Sequence, residues 1–74
     1  MYSAYYSTKK GGGGMANIPT MEAVQSFIQK QFKQRLETRV EINGNVIGEV
    51  ARMGDGNRWG WYLDTEAKKE SYSF

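Results

Sequence analysis

The chain contains neither cysteine nor histidine. Without them there is no disulfide staple, no thiolate nucleophile, no imidazole base and no soft or borderline ligand for zinc. Metal chemistry and nucleophilic catalysis lose most of their material, so a non-enzymatic protein without metal or cofactor is expected. No apolar stretch approaches the ~20 residues that cross a bilayer, and the N-terminus has no apolar signal core. The expectation is a soluble, cytoplasmic protein with no membrane partner. A charge imbalance is missing as well. The net +2 resides in Lys9 and Lys10, because from Met15 to Phe74 eight cations meet eight anions. A protein that grips duplex DNA through its phosphates shows a lopsided basic field, which these residues do not supply.

What is present begins with an uninterrupted run of four glycines, Gly11 to Gly14. It separates a tyrosine- and hydroxyl-rich peptide (1–10) from a stretch that reads as one small α+β domain (15–74), with Met15, directly after the run, a candidate for that domain's original start. Four glycines bury no side chain and carry the largest backbone entropy, so the run reads as a designed flexible linker. A natural loop is the competing reading. Two histories fit a designed linker. In one, residues 1–10 come from a partner and were tethered in cis, which turns a weak complex into an intramolecular one. In the other, they are the domain's own strand, moved to the front by circular permutation or a similar rearrangement. Both place Tyr2, Tyr5 and Tyr6 in a strand added to the sheet by β-augmentation.

Beyond the glycines, Thr20 is a helix N-cap after Pro19, and Glu22 occupies the first turn, where the helix dipole favours an acid. Met21, Val24, Ile28, Phe32 and Leu36 recur at three- and four-residue steps, which predicts one amphipathic helix over about 20–36. The period then becomes alternating. Val40 and Ile42 share one side of a strand, Asn43-Gly44 has the chemistry of a type I′ turn, and a return strand follows from Val46 to Met53 with an unsettled register. Gly54 to Asn57 turns the chain again. Trp59, Trp61 and Leu63 share one face of the next strand, residues 64–69 form a turn or one helical turn, and 70–74 alternates again with Tyr72 and Phe74 together. The predicted fold is α+β: one helix packed on an antiparallel sheet of three to five strands, with the N-terminal segment added as a strand.

The candidate site is a binding surface. Trp59 and Trp61 serve either as a stacking platform or as core beneath the helix. Arg39, Arg52, Arg58 and Tyr62 compose an aromatic and basic sheet face, or else a solvated face with cross-strand pairs to Glu41 or Glu49. The Gly54-Asp55-Gly56-Asn57-Arg58 loop lacks the lysine and spacing of a phosphate-binding fingerprint and reads as a turn. Asp64, Glu66 and Glu70 have no nucleophile between them and read as surface charge. The function expected is recognition of a protein or peptide through the sheet edge or the aromatic face. The alternative is a nucleic-acid-binding domain using the arginine and tyrosine face. Monomer and homodimer both remain open.

Overall fold

A computed structural model describes residues 1–54, 58–64 and 69–73. Along the chain run β1 (Tyr2–Ser7), β2 (Gly13–Ile18), α1 (Met21–Gln34), β3 (Thr38–Ile42), β4 (Asn45–Met53), β5 (Arg58–Asp64) and β6 (Lys69–Ser73). The strands form one antiparallel sheet in the order β2-β1-β3-β4-β5-β6. The architecture is the expected helix on an antiparallel sheet with the N-terminal segment as a strand. One strand more is present than the sequence suggested, and β1 sits inside the sheet, paired on both sides, rather than at its edge. Asp55 to Asn57 of the expected turn, most of the 64–69 segment and the side chains of Tyr72 and Phe74 lie outside the described residues.

The extra strand begins within the glycine run. Thr8 donates its N–H to the Gly12 carbonyl at 2.9 Å and accepts from the Gly11 N–H at 3.0 Å. Lys9, Lys10 and Gly11 thus form a three-residue hairpin loop, closed by Gly11 at φ +87°. This is the turn-plus-bulge geometry that places a left-handed residue third, where glycine costs least. Gly13 and Gly14 then pair with Ser7 and Tyr6 as the first residues of β2. At Gly14 the missing side chain is used: a Cβ there would lie 2.6 Å from Cζ of Tyr6, whose ring fills the space. An aromatic ring laid over an edge-strand glycine restores the packing that the glycine lacks.

Helix α1 starts as the sequence indicated, with Thr20 Oγ1 accepting the Ala23 N–H at 3.1 Å. It ends two residues earlier, because Arg35 turns left-handed at φ 55° and Leu36 donates back to the Gln31 carbonyl at 3.0 Å. These bonds satisfy the last helical carbonyls in the Schellman manner, with arginine where glycine is usual. Val24, Ile28 and Phe32 pack onto a sheet face supplied by Ala4, Ile18, Val40, Val50, Trp59, Trp61 and Leu63, all buried. Tyr6 meets Phe27 edge to face at 5.5 Å, and Phe32 meets Trp61 at 6.4 Å. The Asn43-Gly44 turn has both residues at positive φ, 52° and 81°, as a type I′ hairpin requires. A register shift between Val40 and Glu41 leaves Ile47 as the extra residue of β4.

Candidate functional site

The helix covers one face of the sheet and leaves the other open. Strand periodicity of two assigns the faces. Ala4, Val40, Val50, Trp61 and Leu63 turn toward the helix, so Met15, Tyr5, Arg39, Glu49 and Tyr62 stand on the far side. Register aligns these residues in one row, since Tyr5 pairs with both Met15 and Arg39, Arg39 with Glu49, and Glu49 with Tyr62. Met15 is 59 % exposed and Tyr5 38 % exposed, so the row is accessible at the β2 side.

Neighbours in the row hold one another in place. The Arg39 guanidinium lies 5.5 Å from the Tyr5 ring centroid, and its Nε is 3.0 Å from Oε2 of Glu41. Tyr62 donates its hydroxyl hydrogen to Oε1 of Glu49 at 2.8 Å. Beside the row runs an open groove of about 450 Å³, reaching from Gly13 and Ser7 past Glu37 and Arg39 to Glu49 and Ala51. Small side chains at Gly13, Ser7 and Ala51 make it, and Glu37 with Glu49 gives it negative charge.

The Tyr62 phenol is pushed up to about 12, first by its partial burial, then by donation to Glu49, and further by the negative charges of Glu49 and Asp64. The folded state therefore favours the protonated phenol. Its contribution to stability is complete below the ordinary tyrosine value near 10 and disappears as pH rises through about 12. In an ultraviolet titration one phenol is expected to ionise near pH 12. That late phase should vanish in Tyr62→Phe and move to lower pH in Glu49→Gln. An unmoved late phase in Glu49→Gln would mean that the carboxylate does not govern the phenol.

The structure separates the residues that the sequence grouped. Arg39, Arg58 and Tyr62 share the open face, whereas Arg52 pairs with Trp59 on the helix side and lies 5.4 Å from the Trp59 ring. Trp59 and Trp61 are each only 6 % exposed and belong to the core, where they offer no stacking platform. Of the N-terminal tyrosines, Tyr5 joins the open row, while Tyr6 packs on Phe27 and Tyr2 lies against the core. Met15, Glu37 and Gly13 were not recognised as surface partners from the sequence, because the β1–β2 register brings Gly13 and Met15 to this face and the β1–β3 pairing sets Glu37 beside Ser7. Gln31, buried in the helix, has no hydrogen-bond partner for Nε2 among the described residues. Among those residues no three carboxylates gather as a metal site, and no helix is long and apolar enough to cross a membrane.

The fold and the row together define a small α+β module with one helix-covered and one open sheet face. No family model, curated protein or solved structure matches the chain.

Proposed function

We propose that this protein is a non-enzymatic recognition module that binds a protein or peptide segment across its open sheet face. The observation that carries the reading is the row Met15–Tyr5–Arg39–Glu49–Tyr62. Rigid aromatic side chains and an arginine on a pre-ordered strand scaffold contribute contact area with little ordering cost, which is the composition of interface anchors. The charge of the face selects among partners. Among the residues whose side chains the structure describes it presents Arg39 and Arg58 against Glu37, Glu41, Glu49 and Asp64, so anions outnumber cations there. Such a surface suits a segment carrying lysine or arginine and disfavours a phosphate backbone. This argues against the nucleic-acid reading.

The test is a selection of random displayed peptides on the immobilised full chain, followed by affinity measurements on two variants. Tyr5→Ser with Arg39→Ala is expected to weaken the selected peptides at least tenfold, about 1.4 kcal/mol. Lys30→Ser with Lys33→Ser, on the outer helix surface, is expected to leave them unchanged. The selected peptides should be enriched in cationic residues. The opposite dependence on the two variants would overturn the reading, as would salt-sensitive binding of mixed oligonucleotides through Arg39 and Arg58.

A further inference from the structure

We infer that β2 is a self-pairing edge, and that two copies of this chain associate through it, antiparallel about Met15, to make one continuous twelve-stranded sheet. The inference goes beyond the recognition reading, because it concerns the sheet edge rather than the open face.

The backbone supports it first. Thr8 N–H points to β2 and Ser7 N–H points to β3, where it donates to the Glu37 carbonyl at 2.8 Å. Antiparallel alternation then directs the even residues of β2 toward β1 and turns the N–H and C=O groups of Gly13, Met15 and Asn17 outward. An edge strand with such a free row pairs readily unless something obstructs it. Natural edges carry lysine, proline or an inward charge for that purpose, and Gly13–Ile18 has none of these. Helix α1 covers a face of the sheet and leaves this edge open.

The sequence next fixes who pairs with whom. Outward-facing residues must oppose outward-facing residues, so the two-fold axis passes through a residue and not between two. With the axis at Met15, Gly13 faces Asn17 of the second copy, Met15 faces Met15, and all three outward residues exchange both of their bonds. Moving the axis to Ala16 sets Gly13 opposite Pro19, which has no N–H to give. Moving it to Gly14 sets Asn17 opposite Gly11, whose N–H is already committed to Thr8. Pro19 at one end and the hairpin turn at the other thus select a single register.

Charge agrees with this arrangement. No charged residue lies in β2, so nothing of like sign meets across the axis. In the same register Lys9 and Lys10 approach Thr20 to Glu22 of the second copy, which places the unbalanced cations of the turn near an exposed acid. The two exposed Met15 side chains meet on the open face, and the rows headed by Tyr5 then run outward from both sides of the axis.

Sedimentation equilibrium of the full chain across a wide concentration range tests the inference. The expected result is a monomer–dimer equilibrium. Met15→Lys should raise the dissociation constant at least tenfold, because two ammonium groups then face each other directly. An equimolar mixture of Met15→Lys and Met15→Glu chains should recover the dimer as a heterodimer. Paired residues of this kind stand about 5.5 Å apart between Cα atoms, within disulfide range, so Met15→Cys should form a covalent dimer on mild oxidation. A monomer at every concentration overturns the inference and leaves the recognition reading standing. So does a dimer that ignores both charge variants and does not cross-link at position 15.

Discussion

A chain that begins at Met15 is expected to be unfolded at 25 °C, with the flat near-ultraviolet circular dichroism and narrow amide dispersion of a disordered polypeptide. The reason is the position of β1 between β2 and β3. Its removal leaves β2 with no partner in the sheet and strips β3 of one of its two neighbours. It also takes away Ala4, wholly buried at the centre of the core, together with the Tyr6 ring that packs on Phe27. Each lost backbone hydrogen bond is worth about 1 kcal/mol net, and a domain of this size is stable by only about 4–11 kcal/mol in total. The loss of two strand pairings is therefore comparable to the whole stability. Cleavage at the exposed Lys9-Lys10 turn is a milder form of the same test. The nicked molecule should keep its peptide and its fold in native buffer, and lose both together in urea. A truncated chain that stayed folded would make residues 1–10 a ligand after all.

Trp61→Ala is expected to destabilise the fold by about 3–5 kcal/mol, a large share of its whole stability. Trp61 is 6 % exposed, meets Phe32 edge to face, and stands opposite Val50 in the neighbouring strand. Truncation removes a large ring from between helix and sheet, and the helix cannot settle far enough to close the space. Tyr62→Phe is the control, one residue away on the other face. It removes only the hydroxyl that donates to Glu49, and its cost should be near 1 kcal/mol. Urea denaturation of both variants separates the two cases. A Trp61→Ala cost below that of Tyr62→Phe would mean that the indole is not a core side chain.

The helix was legible because its signals are local. Thr20 as cap, Glu22 in the first turn and the Val24-Ile28-Phe32 stripe all act within a few residues of one another, and the Asn43-Gly44 turn is likewise specified by its own two residues. Strand β2 was not legible. Gly13 and Gly14 carry no side-chain period, and they become a strand only because Tyr6 and Ser7 pair with them and the Tyr6 ring fills the space above Gly14. The same residues that suggested a flexible tether are, in the fold, a tight turn followed by a paired edge. The open face was half legible for a related reason. Arg39 and Tyr62 can be placed by alternation alone, but Arg52 cannot, since the extra residue at Ile47 reverses the parity of β4 relative to a regular ladder. Without that bulge, the three arginines would be assigned to one surface; with it, Arg52 passes to the helix side.

The insertion of β1 between β2 and β3 also bears on how the molecule is made. As the polypeptide leaves the ribosome, the first eighteen residues can close into their hairpin, but an isolated two-stranded ribbon is at best marginally stable in water. Its second neighbour arrives only after the entire helix has been synthesised, when residues 38–42 emerge. Residues 2–7 must therefore wait for residues 38–42 before they are secured on both sides, and the sheet is completed cooperatively rather than strand by strand.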